Sequence, residues 1–125
     1  KPDESLELKP PMERGAADEM IADFIRDNTD IDGIVCCSDL LAASAISSLK
    51  RLGISVPDGV AVTGYDDLEV GARMSPSLTT VSQDIRAGGD QLVKKMMGLL
   101  SGKRVRDSIC DSSLVVRESS LRSGQ

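Results

Sequence analysis

A chain of 125 residues with 40% hydrophobic and 28% charged side chains has the size and balance of one soluble globular domain, which excludes disorder as the default reading. Its formal net charge is -5, and its one basic cluster is Lys103, Arg104 and Arg106, so it lacks the positive stripe that neutralising nucleic-acid phosphates requires. No apolar run approaches the roughly 20 residues that cross a bilayer, and Lys1 to Glu7 has no signal-peptide character.

Leu6 to Leu8 reads as a short strand, and Pro10-Pro11 breaks the chain before a helical stretch from Met12 to Asn28. Ala17, Met20, Ile21 and Phe24 recur at helical spacing there and define a packing face. Asp32-Gly33 turns into Ile34-Val35-Cys36-Cys37, the unbroken apolar run expected of a central parallel strand buried on both faces. Ser38 or Asp39 then caps a helix to Leu52 with Leu41, Ala45, Leu49 and Leu52 on one side, and Gly53 stops it.

The cycle repeats with a Pro57-Asp58-Gly59 turn, a buried strand from Val60 to Thr63, and the loop Gly64-Tyr65-Asp66-Asp67. A short helix follows near Leu68 to Met74, Pro76 interrupts, and Leu78 to Val81 is a β-branched strand. Asp84 caps a last helix to Leu100 with Leu92, Val93, Met96, Leu99 and Leu100 on its apolar side, Gly102 ends it, and Leu114 to Val116 is the final strand.

Strand and helix alternating at this length predict an α/β fold, an open and mainly parallel sheet with helices on both faces. Ligands of such sheets bind beyond the carboxyl ends of the strands, which directs attention to Ser38-Asp39, Asp66-Asp67 and Ser82-Gln83. A carboxylate such as Asp66 at a strand end accepts hydrogen bonds from ligand hydroxyls, or it caps the next helix; both readings stand on the residues alone. For Asp67, and for Ser38 and Asp39 ahead of their helix, capping is the simpler role. The Gln83 amide donates and accepts, which suits a ligand or a hinge contact.

Three cysteines, Cys36, Cys37 and Cys110, fit free thiols in a reducing compartment, so a cytoplasmic location is expected. The adjacent pair has no metal or redox spacing and reads as buried structural thiols. The methionines read as core or interface filler. No His, no Gly-x-Ser-x-Gly and no Gly-rich phosphate loop occurs, because Gly88-Gly89 lies inside a helical stretch. An enzyme is therefore not expected, and neither a cofactor nor a metal is implied.

Gly33 to Asp39, Val56 to Asp67 and Pro76 to Gln83 resemble, in order and spacing, the LacI/GalR transcriptional repressors over about Leu6 to Ser119. The resemblance implies two α/β subdomains joined by three crossing strands, with a small-molecule effector in the cleft and an N-terminal helix-turn-helix on DNA. By that pattern residues 1–125 are the C-terminal portion of the effector domain, without the DNA-binding unit and most of the N-terminal subdomain. The resemblance points to Asp66, Gln83 and Ser38 as effector contacts, with Ser38 standing where asparagine is frequent. Pro10 stands near the place where sugar-binding members carry a stacking aromatic and offers no such platform, so the effector implied is not restricted to a sugar and extends to a nucleoside or related polar metabolite.

Leu40, Ala43, Ser47, Leu68 and Met74 match regions through which members of the family pair, which implies a homodimer. The helix from Asp84 to Leu100 is left without its usual partner, which favours association or domain swapping. The alternative to a repressor is an exported solute-binding protein of a transport system, which shares the fold.

Overall fold

A computed structural model describes residues 4–10 and 16–122. In chain order these form α1 (Ala16–Asp27), β1 (Gly33–Val35), α2 (Asp39–Arg51), β2 (Ala61–Thr63), α3 (Glu69–Ala72), β3 (Thr80–Gln83), α4 (Ile85–Leu100) and β4 (Ser112–Val115). One-turn 3-10 helices stand at Glu4–Leu6 and Glu118–Ser120.

β1 and β2 pair in parallel, Gly33 opposite Ala61 and Val35 opposite Thr63. A parallel bridge from Thr63 to Thr79 extends the order towards β3. β3 then pairs antiparallel with β4, from Thr80 with Val115 to Gln83 with Ser112. The outcome is a short parallel sheet whose last strand continues as a two-stranded ribbon.

The core lies where α1 and α2 pack on each other and α2 packs on β2. Ala17, Ile21 and Ile25 recur every four residues on α1 and are buried against Ala42, Ala45, Ile46 and Leu49 of α2. Small alanines on α2 let the helices approach closely, and each buried Ile or Leu stabilises the fold by roughly 1.5 to 3 kcal/mol. Ser48 Oγ and Arg51 Nη2 both donate to the Asp18 carbonyl, at 3.0 and 3.3 Å, which ties the end of α2 to the start of α1. Val62 and Leu78 complete the core under the sheet.

Several expectations change. The packing face of α1 centres on Ala17, Ile21 and Ile25, leaving Met20 exposed, because Ala22 and Ile25 carry the stripe further round the helix. Residues 11–15, the expected start of that helix, lie outside the described residues. Leu6 to Leu8 is not a strand: Leu6 ends a 3-10 turn, and the segment pairs with no strand among the described residues.

β1 is shorter than expected and stands at an edge, with one strand neighbour among the described residues. Ile34 and Cys36 turn to the core, whereas Val35 is 88% exposed on the opposite side. A run of four apolar residues satisfied the pattern of a doubly buried strand, yet one face and one edge of it are open. Beside that edge runs an apolar groove of 640 Å³ lined by Leu6, Leu8, Pro10, Phe24, Val35 and other residues.

The thiols change with the strand. Cys37 and Cys110 are exposed, while burial first and the neighbouring Cys37 second push the Cys36 thiol up to about 12. At pH 8 a disulfide reagent is therefore expected to modify Cys37 and Cys110 at least about a hundredfold faster than Cys36, read by mass spectrometry of the labelled peptides. Equal rates at all three positions would contradict this placement of β1.

α4 stands apart from the core. Its Gly88, Gln91, Lys95 and Gly98 face the returning segment 103–111: Ser108 Oγ receives a bond from Lys95 Nζ at 2.6 Å and donates to Gln91 Oε1 at 2.7 Å. A Cβ at Gly98 would meet Val105 Cγ2 at 3.2 Å, so this glycine lets the segment lie close, whereas one at Gly88 would make only an ordinary contact with Cys110 Sγ at 3.6 Å. The opposite face, with Leu92, Val93, Met96, Leu99 and Leu100, is exposed, as the unpartnered pattern predicted.

Candidate functional site

The carboxyl ends of β1, β2 and the run leading into β3 sit side by side because backbone bonds join their loops. Asp39 N–H donates to the Tyr65 carbonyl at 2.8 Å, and Asp66 N–H donates to the Val81 carbonyl at 3.0 Å. Ser38, Asp66 and Ser82-Gln83 therefore share one rim. Their side chains make no bond with one another among the described residues.

Ser38 is the N-cap of α2, its Oγ accepting from Leu41 N–H at 3.3 Å. Capping satisfies one of the orphan amides of the helix and leaves the hydroxyl proton available. Gln83 ends β3 and is exposed; the strand runs two residues beyond its expected end at Val81 because pairing with β4 carries it on to Gln83.

Asp39 is not a cap. It is 1% exposed, and its carboxyl group accepts from Thr80 Oγ1 at 2.6 Å on one oxygen and from Leu68 N–H at 2.7 Å on the other. The first residue of α2 thus bonds both to β3 and to the start of α3. Gly64 makes room for it: a Cβ there would lie 2.3 Å from Asp39 Oδ1. The glycine of the Gly-Tyr-Asp-Asp sequence is dictated by this approach.

Asp67 does not cap α3 either. That place falls to Leu68, which makes no side-chain capping bond. Asp67 pairs with Arg117 Nη2 at 2.7 Å, and hydrogen bonds from Arg117 first and Ser82 second hold its carboxyl below the usual carboxylate range. Both Asp66 and Asp67 have left-handed backbone, φ 115° and 52°, a conformation that costs non-glycine residues energy and persists where surrounding contacts fix it.

Asp66 itself is half-buried at the rim, and among the described residues no hydrogen bond or ion pair engages its carboxylate. Of three neighbouring acidic groups, two are committed to internal structure and one is presented. Ser38, Asp66 and Gln83 all lie outside the lining of the apolar groove beside β1.

The C-terminal residues complete the rim from beneath. Ser119 Oγ donates to the Val62 carbonyl at 2.6 Å and accepts from Thr79 N–H at 2.8 Å. Arg117 N–H donates to Thr79 Oγ1, and the Glu118 carboxylate accepts from Ser77 N–H, both at 2.8 Å. Thr79 and Thr80 read only as strand residues in the sequence and Arg117 and Ser119 are not singled out there, because partners some 40 to 60 positions apart leave no local pattern.

The chain is thus an open α/β sheet that presents polar groups at its carboxyl rim, with two acidic groups built into the support of a third. The chain belongs to the periplasmic binding protein-like domain family, whose model matches residues 4–120. Its relatives are LacI-family transcriptional regulators. The HTH-type transcriptional regulator GntR of Pseudomonas aeruginosa is 31% identical over 121 residues, covering 94% of this chain and 35% of that protein.

Two solved structures show the same fold. One is a LacI family transcriptional regulator from Arthrobacter in complex with lactose, with a TM-score of 0.78 and 35% identity over 90% of this chain and 44% of that one. The other is a CelR–cellobiose complex, with a TM-score of 0.85 and 26% identity over 95% and 37%. The chain thus spans less than half the length of each of these relatives.

Among the described residues no helix is long and apolar enough to cross a membrane, and no group of acidic or cysteine side chains is arranged to hold a metal ion.

Proposed function

We propose that this chain is the effector-sensing and pairing portion of a cytoplasmic DNA-binding transcriptional repressor. One observation carries this reading: the Asp66 carboxylate stands at the carboxyl rim in a fixed left-handed turn with no internal partner among the described residues. A presented carboxylate accepts hydrogen bonds from two ligand hydroxyls, each contributing roughly 1.5 to 3 kcal/mol. Gln83 and the Ser38 hydroxyl proton supply further polar contacts on the same rim. A sugar, nucleoside or related polar metabolite fits this donor and acceptor set, and the lactose and cellobiose complexes of the relatives support it.

The effector acts by population shift: closing over the rim favours one arrangement of the two subdomains and so changes the placement of DNA-reading heads carried outside this segment. Pairing proceeds through the outer face of α2, where Leu40 and Ser47 are exposed and Ala43 is half-buried, and through Leu68. Met74 contributes less, since it packs against the core. The segment serves recognition and carries no catalytic role in this reading.

In the full-length protein, Asp66→Ala is expected to weaken effector binding about tenfold or more. The measurement is isothermal calorimetry against the sugar or nucleoside that a thermal-shift screen of the wild-type protein selects. Unchanged affinity with an unaltered fold would remove Asp66 from the site and the reading with it.

A further inference from the structure

The two left-handed residues that present Asp66 do not hold themselves. Asp66 N–H is anchored on the Val81 carbonyl and Asp67 N–H on Thr80 Oγ1 at 3.3 Å, so the turn hangs from the run that becomes β3. Among the described residues its one charged side-chain tether comes from just beyond the other strand of the ribbon, beside a hydrogen bond from Ser82. Arg117, two residues after β4, places Nη2 on Asp67 Oδ1 at 2.7 Å and Nη1 on the Leu78 carbonyl at 2.8 Å. Its own backbone N–H is fixed on Thr79 Oγ1 at 2.8 Å, and the Thr79 hydroxyl donates back to the Arg117 carbonyl at 2.9 Å.

We infer that Arg117 is a positioning residue for the ligand-facing turn: its guanidinium ties Asp67 to the base of the β3–β4 ribbon and so sets the direction in which Asp66 is presented. The planar fork matters, because one guanidinium must reach a carboxylate and a carbonyl at once, which a lysine ammonium does not do in a fixed geometry. The arrangement also has a mechanical consequence. β3 leads directly into α4 and β4 returns from it, so any displacement of that projecting unit is transmitted through Arg117 to Asp67 and from there to Asp66. The two ends of this linkage lie 50 positions apart in sequence and are joined by one side chain. The inference rests on the reading of Asp66 as the ligand contact for its meaning, but its geometry is testable without any ligand.

The test is hydrogen–deuterium exchange of the full-length protein followed by mass spectrometry, comparing wild type with Arg117→Met and Arg117→Lys. Arg117→Met is expected to speed exchange in a peptide covering residues 64–69 at least tenfold, while peptides within α2 keep the wild-type rate. Arg117→Lys is expected to restore protection only in part. Unchanged exchange over 64–69, full protection in the lysine variant, or equal acceleration throughout α2 and β2 would each overturn the assignment, the last by showing a merely global contribution. Should Arg117→Met fail to fold, Asp67→Asn takes the charge from the same tether with little change of volume and leaves one acceptor, so it is expected to speed exchange over 64–69 by a smaller factor, and unchanged exchange there would overturn the assignment. A local loss of protection in the arginine variant, together with unchanged ligand affinity in Asp66→Ala, would leave the tether standing and defeat the ligand reading alone.

Discussion

Replacing Asp39 with Ala is expected to lower the folding stability of the full-length protein by about 3 kcal/mol, seen as a fall in the urea midpoint of the domain. The Asp39 carboxyl group is an acceptor shared by two elements. It accepts from the Thr80 hydroxyl and from Leu68 N–H in a site where Asp39 and Thr80 are both excluded from water. Removing it strips partners from two donors at once, and each buried donor left unmatched costs about 1 to 3 kcal/mol. Alanine leaves a void beside Gly64 as well, because the chain approaches Asp39 so closely there that no Cβ fits. Asp39→Asn keeps the shape and one acceptor, and its loss should be about half as large. A fall of less than about 1 kcal/mol for the alanine variant would show that Thr80 and Leu68 find other partners.

The same carboxyl group shows where reading a sequence runs out. Helix, strand and turn signals are local, and they placed α2, the strand before Gly64 and the cap at Ser38 correctly. An aspartate at the first turn of a helix satisfies every local criterion of a cap or a dipole partner. What makes Asp39 an internal strut is a threonine 41 positions away and an amide 29 positions away, and no periodicity carries that information. Asp67 was misread for the same reason, its partner being Arg117.

β1 failed differently. Ile34-Val35-Cys36-Cys37 has the composition of a buried strand, but composition records what a strand tolerates and does not record which neighbours are at hand. With one edge and one face open among the described residues, Val35 and Cys37 are exposed despite their chemistry. The rim was legible because loops at the carboxyl ends of parallel strands are forced together by topology alone. Which acidic group on the rim is presented, and which are committed, was decided by tertiary bonds.

The second large effect concerns α4. On its own, the 125-residue chain is expected to self-associate at micromolar concentration through this helix, observed as a dimer or larger species in sedimentation velocity. Leu92 is 70% exposed and Leu100 75%, and with Val93, Met96 and Leu99 they form a continuous apolar stripe along a 16-residue helix. Segment 103–111 covers the opposite, glycine-containing face, so the stripe has no partner among the described residues. Burying such a surface gains roughly 25 cal/mol for each Å² of apolar area, enough for five large side chains to offset the cost of association.

Leu92→Glu combined with Met96→Lys tests the surface without disturbing the helix, since both new residues are good helix formers and a Glu followed four positions later by Lys is a favourable pair. Desolvating two charges in an apolar contact costs several kcal/mol, so the dissociation constant should rise at least about a hundredfold and the variant should sediment as a monomer. A wild-type chain that is already monomeric would show that the stripe is too weak to close a contact. Association that survives the double substitution would instead move the contact to another exposed apolar surface, such as the open edge of β1 with Val35 and the neighbouring groove.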